Sequence, residues 1–223
     1  VQADELQPAQ VAELAALSRP VLMLNYAEPL PADAANLLAV GFDNRGGVVQ
    51  AVRHLAALGH RRIAFIGGTP TTNDARQREE GFRLAMASLG LPLEDRWVRP
   101  GHFGDTAGGF LSGSNQMDHL LSERAHLPSA VVAASDEIAI GAMDSLRRCG
   151  LEVPTHISLV GYDNHSWSAY THPRLTTVAH DGWQMGQAAA DLLVAGIKDN
   201  AIHQRQLALP TNLVVRGSTA RPP

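Results

Sequence analysis

The 223-residue chain is predicted to be an α/β protein built on mostly parallel sheets. Short apolar runs alternate with stretches whose apolar residues recur at helical spacing, the pattern of strands joined by helical crossovers. The run Leu58-Gly-His-Arg-Arg-Ile-Ala-Phe-Ile-Gly-Gly68 takes a helix end into a short buried strand, then into a glycine turn with open backbone amides. Ser135-Asp-Glu-Ile-Ala-Ile-Gly-Ala142 and Ile157-Ser-Leu-Val-Gly-Tyr-Asp-Asn164 repeat the strand-to-turn theme. Such proteins hold small ligands at the carboxyl ends of their strands.

The elements follow in order. Val1-Gln-Ala-Asp4 reads as the tail of a strand, and residues 8–16 as a polar helix before the apolar run Pro20-Val-Leu-Met-Leu24. A second run, 37–42, ends in Asp43-Asn44. From 44 to 58, apolar residues at 48, 49, 52, 55 and 56 line one helix face, which Gly59 stops. Residues 62–66 form a strand and 76–89 a helix stopped by Gly90. A strand at 96–98 precedes the loop Gly101-His-Phe-Gly-Asp105, and 107–122 reads as a broken helix. Residues 130–134 are a buried strand and 136–149 a helix stopped by Gly150; 157–161 and 175–178 are further strands. A long helix covers 181–197, with apolar positions at 185, 189, 192, 193 and 197. Segments 204–209 and 213–216, on either side of Pro210, are expected to pair antiparallel with each other.

Composition narrows the function. With 18 basic and 22 acidic residues the net charge is −4, whereas a domain gripping DNA phosphates by itself carries a basic face. Lys198 is the only lysine, which reads as coding bias before function. Single Cys149 excludes an internal disulfide and is expected to be a buried structural thiol in a reducing compartment. No apolar run is long enough to span a bilayer, and no signal peptide opens the chain. Phosphate-binding loops, dinucleotide fingerprints, nucleophile elbows, zinc spacings and Cys-x-x-Cys are all missing from the sequence, which argues against an enzyme.

The polar residues of interest sit where strands end. Asp163 follows a buried strand, where a carboxylate can accept from two ligand hydroxyls; an Asx turn through Asp163-Asn164 is the plain alternative. Arg78, near the start of a helix, offers a planar donor fork, or is a solvated helix-face arginine; Arg76 is less favoured. Phe103, in a polar glycine-rich loop, suits stacking on a sugar face or a heterocycle, or anchors the core. Trp167 invites the same two readings. Ser135-Asp136 opens a helix, so Ser135 is an N-cap, a ligand donor, or both. His180 is a neutral hydrogen-bonding ligand residue, or a histidine capping the next helix. Asn25 closes its strand in the same way, with Asp43 a weaker case.

Several segments together resemble the effector-binding core of the lactose/galactose-repressor family of bacterial transcription regulators. They are Gly41-Phe-Asp-Asn44, Leu58 to Gly68, Arg78-Glu-Glu-Gly-Phe82, 134–142, Val153-Pro-Thr-His-Ile-Ser-Leu-Val-Gly-Tyr-Asp-Asn164, Pro173-Arg-Leu-Thr-Thr-Val178 and Leu213-Val-Val-Arg-Gly-Ser218. The resemblance implies a type I periplasmic-binding-protein-like fold, two Rossmann-like lobes with parallel sheets and an interlobe cleft. It implies an effector, usually a sugar or sugar derivative and sometimes a purine, with no cofactor and no metal. By position it implies effector contacts at Asn25, Arg78, Phe103, Ser135, Asp163 and His180. Many relatives carry asparagine at Ser135, and some carry glutamine at His180. The expected lobes are 1–60 with 179–195, and 61–178 with 196–223. A helix-turn-helix DNA-binding domain and the first strands and helices of the near lobe are expected to lie outside this chain.

The implied protein is a cytoplasmic, homodimeric repressor whose operator affinity responds allosterically to effector. Asp163→Ala is expected to abolish that response and leave the fold largely intact. Two other classes compete: a periplasmic sugar receptor of a transporter, and a small enzyme using Asp163 or His180 as general base.

Overall fold

The computed structural model describes residues 1–26, 28–104, 108–122, 126–198 and 205–223. Residues 105, 107 and 204, named in the expectations above, lie outside them. The chain divides into two units, 1–43 with 71–74 and 181–210, and 44–70 with 75–180 and 211–223.

The first unit carries a parallel sheet in the order β1-β2-β8, from Val21–Leu24, Leu37–Phe42 and Gln206–Leu209. All six residues of β2 are buried, because both of its faces are covered. Leu37 and Ala39 join Met23 and Val11 of α1 (Pro8–Ala15) on one side. Leu38 and Val40 meet Ala189 and Leu192 of α6 (Gly182–Lys198) on the other. The period of two along a strand produces that split. Gln2 bridges Leu24 in parallel, as the opening tetrapeptide led one to expect.

The second unit has six strands in the order β4-β3-β5-β6-β7-β9. They are Val98–Arg99, Ile63–Ile66, Ala130–Ala133, Ser158–Asp163, Thr176–Ala179 and Asn212–Val214. All neighbours run parallel except β7 and β9. Around the sheet lie α2 (Asn44–Leu58), α3 (Asn73–Ser88), α4 (Gly108–Ser122) and α5 (Asp136–Arg148). One apolar cluster, with Phe65, Phe82, Leu55, Met86, Ile138 and Tyr162 among its fully buried members, ties sheet and helices together. Strand order reverses at β3, with β4 on one side and β5 on the other. That is the topological switch point, where the carboxyl ends of such sheets open a crevice.

Several expectations are corrected. The tail segments do not pair with each other: β8 joins β2 in parallel and β9 joins β7 antiparallel, so Pro210 stands between strands of two different sheets. The unit boundaries shift accordingly. β8 belongs with the first unit, and α2 belongs with the second, since Val48, Val52 and Leu55 are buried in its core. Residues 95–97 form a 3-10 turn, and the strand begins at Val98. α4 is continuous despite its glycines, which serve helix packing. A Cβ on Gly113 would lie 2.0 Å from the Ile138 carbonyl oxygen of α5, and one on Gly141 1.9 Å from that of Phe110. Cys149 is exposed, because α5 ends at Arg148 and leaves the thiol at its C-cap, past the buried Leu146. Among the described residues no helix is long and apolar enough to cross a membrane.

Candidate functional site

Four adjacent parallel strands bring their carboxyl ends to one edge of the second unit's sheet. Gly67-Gly68 follows β3, Ala134-Ser135 follows β5, Asp163 closes β6 and His180 follows β7. Each strand supplies its last residue or the first ones beyond it, at the edge where such sheets meet ligands.

Arg78 is the centre of the cluster. It is buried, with its side chain 5% exposed, so the solvated-face alternative falls. Its Nε donates to Asn44 Oδ1 at 2.9 Å and its Nη1 to the Ala134 carbonyl at 2.5 Å. The same Nη1 lies 3.2 Å from Asp163 Oδ1, whose side chain is 18% exposed. The guanidinium carbon sits 3.7 Å from the centroid of the Tyr162 ring, a close cation–π contact, and 5.5 Å from that of Phe103. α3 carries Arg78 into this position because neighbouring Phe82, one turn on, anchors the helix against Phe65 with ring centroids 5.1 Å apart.

Asp163 also meets His180, Oδ1 to Nε2, at 3.3 Å. Burial by itself raises the Asp163 carboxyl, but the Arg78 charge, then the His180 hydrogen bond and charge, outweigh it and hold it below the ordinary range. Asp163 stays ionised, an acceptor for hydroxyl or N–H donors. Its φ of 98°, and the 54° of Asn164, are left-handed values that only a tightly held turn keeps. Because Asp163 is half of an ion pair with a buried arginine, the expectation that Asp163→Ala leaves the fold largely intact is revised: the substitution strands a buried charge.

Phe103 does find a packing surface. Its ring lies against the bare backbone of Gly68, where a Cβ would stand 2.1 Å from Phe103 Cζ. Its N–H donates to Thr69 Oγ1 at 2.9 Å. Ser135 is the N-cap of α5, its Oγ accepting from the Ile138 N–H at 3.2 Å. Trp167 stands apart from Arg78, stacked on His165 at 4.7 Å and tilted against Phe110. Arg76 is exposed and lines a shallow groove of about 200 Å³ with Glu79, Arg83 and Pro100. Asn25 belongs to the first unit, at the end of β1 with φ 57°; its N–H donates to the Val40 carbonyl, and its Oδ1 is buried with no hydrogen-bond partner among the described residues. Asp43 is exposed, also in the first unit.

Three residues escaped prediction: Asn44, Tyr162 and the carboxylate of Asp136. Asn44 and Tyr162 lie in segments quoted for the resemblance, but no local pattern shows that they grip and stack on Arg78. Asp136 entered the sequence reading only as the residue that opens a helix after Ser135, yet it is fully buried. Burial, reinforced by the Asp163 charge and opposed by hydrogen bonds from Thr177 and the His165 N–H, pushes its carboxyl up to about 6. Among the described residues no group of His, Cys, Asp and Glu could hold a metal ion.

Residues 52–219 match the periplasmic binding protein-like domain. An HTH-type transcriptional regulator from the aml 5′ region of Streptomyces limosus is 35% identical over 218 residues, covering 96% of this chain and 58% of its own length. DegA of Bacillus subtilis, also an HTH-type regulator, is 32% identical over 209 residues, 93% of this chain and again 58% of its own. The chain thus spans a little over half the length of these curated relatives. Among solved structures, a sugar-binding LacI-family regulator from Escherichia coli complexed with phosphate superposes with TM-score 0.86 at 27% identity, covering 100% of this chain and 76% of that one.

Proposed function

The chain belongs to the periplasmic binding protein-like domain family, within the lactose/galactose-repressor group, and from that membership we propose that it is the effector-binding core of a DNA-binding transcription regulator. The observation that carries this reading is the Arg78–Asp163–His180 cluster at the carboxyl edge of the second unit's sheet, roofed by Phe103. The effector is a small polyhydroxylated molecule, a sugar or sugar derivative before a purine. Its hydroxyls donate to the ionised Asp163 and its apolar face stacks on Phe103, with Arg78, Ser135 and His180 as further polar contacts. Asn25 is the contact proposed for the first unit, and Arg76 and Trp167 are peripheral ones.

In the whole protein, operator DNA is engaged by a helix-turn-helix domain outside these residues, in keeping with the net charge of −4 found here. The regulator works as a cytoplasmic homodimer, and effector shifts operator affinity by its differential binding to two states. A thermal-shift panel of neutral sugars, sugar acids and purines tests the reading. A true effector at a hundred times its Kd stabilises by about 2.7 kcal/mol, and Asp163→Asn removes that gain. A panel with no stabilising compound, or a variant that responds like the parent, overturns the proposal.

A further inference from the structure

The effector reading does not use Asp136, yet it is fully buried and hydrogen-bonded through both carboxylate oxygens. It is fully buried at the first position of α5, where first-turn acids usually face solvent and the helix dipole. Its two oxygens reach two different elements. Oδ1 accepts from Thr177 Oγ1 of β7 at 2.5 Å, and Oδ2 accepts from the backbone N–H of His165 at 2.8 Å. Thr177 relays the connection, its Oγ1 accepting in turn from the Asn164 N–H at 3.3 Å. β6 leaves room for the carboxylate with a glycine: a Cβ on Gly161 would lie 2.3 Å from Asp136 Oδ1.

The two amides held in this way directly follow Asp163. They belong to a turn in which Asp163 and Asn164 both take left-handed backbone angles, conformations that persist where the surroundings enforce them. Arg216 adds a second anchor, donating to Asn164 Oδ1 at 2.6 Å. Beyond the turn, His165 presents the ring on which Trp167 stacks.

We infer that Asp136 is a positioning residue: through the Thr177 hydroxyl and the His165 amide it holds the Asp163–Asn164 turn, and so sets the direction of the Asp163 carboxylate. Its importance for binding rests on the effector reading, but the turn can be tested without any ligand, so the two fail separately. Amide hydrogen exchange of Asn164 and His165 is measured in the parent chain and in Asp136→Asn, Thr177→Val and Thr177→Ser, with β5 amides as the reference for global opening. Thr177→Val is expected to speed Asn164 exchange at least tenfold. Asp136→Asn is expected to speed exchange at both amides severalfold, because a neutral amide with one acceptor oxygen replaces a carboxylate that accepts through both of its oxygens. Thr177→Ser, which keeps the hydroxyl, is expected to restore parental protection, and β5 amides to stay unchanged relative to Asn164. Parental protection in both Asp136→Asn and Thr177→Val overturns the inference. So does loss of protection in step with β5, which reports global destabilisation, or a serine variant no better than the valine one.

Discussion

Removing either partner of the Arg78–Asp163 pair tests whether the site is built on a buried charge. Two unit charges 3.2 Å apart interact by about 5 kcal/mol at an effective dielectric near 20, but desolvation of both ions offsets much of this, so the pair's net worth is small. Breaking it is costly, because the survivor stays buried. Arg78→Met leaves Asp163 its hydrogen bond with His180 but takes away the arginine, and it removes the Arg78 donors from the Ala134 carbonyl and Asn44 Oδ1. A loss of about 3–5 kcal/mol is expected. Asp163→Ala leaves the guanidinium its Asn44 and Ala134 bonds and the Tyr162 face, and the carboxylate was already 18% exposed, so about 2–3 kcal/mol is expected. The double variant buries no unpaired charge and should cost less than the sum by about 2 kcal/mol. Urea unfolding of the four proteins, followed by circular dichroism, measures the cycle. Strict additivity, or an Asp163→Ala chain within about 0.5 kcal/mol of the parent, refutes the reasoning.

Four further outcomes are expected. The Asp136 carboxyl, raised from 3.8 to about 6 in the folded chain, holds its proton more tightly when folded. Its contribution to stability therefore declines as pH rises from about 4 to about 6, by roughly 3 kcal/mol in all, and is flat above; denaturation curves across that range show the slope, and Asp136→Asn removes it. Asp163 acts in the opposite sense and lower down: its depressed carboxyl stabilises the fold above its ordinary value, a gain lost as pH falls through the folded value. Gly68→Ala drives a methyl into Phe103 and should cost about 1–3 kcal/mol; thermal unfolding should show less than additive loss when Phe103→Ala is combined with it. Cys149→Ser should change stability by less than about 0.5 kcal/mol, and the parent thiol should react with a maleimide without denaturant; slow labelling would contradict its exposed place at the end of α5.

Much of the molecule is legible from residue order alone. The alternation of apolar runs and helical faces located the strands and helices within a few residues, because hydrophobic periodicity records local backbone state and the side each residue turns inward. The same local logic marked Asp163, Ser135 and His180, each just beyond a buried run, as residues on the ligand edge of a sheet. What periodicity cannot carry is which distant surfaces meet. β8 and β9 look like one hairpin around Pro210, yet β8 pairs with β2, Leu207 and Leu209 packing against the cluster of Leu38 and Val40, and β9 pairs with β7. α2 was expected in the first lobe, yet Val48, Val52 and Leu55 are buried in the core of the second unit. Cys149 keeps the spacing of a buried position but falls where its helix has already ended. Residue order left Arg78 open between a ligand contact and a solvated helix face, and gave no sign that Asp136 is buried. Only the folded sheet, which brings Tyr162 and Asp163 from β6, Thr177 from β7 and Asn44 from α2 to meet them, could supply the partners that make it possible to bury a charge.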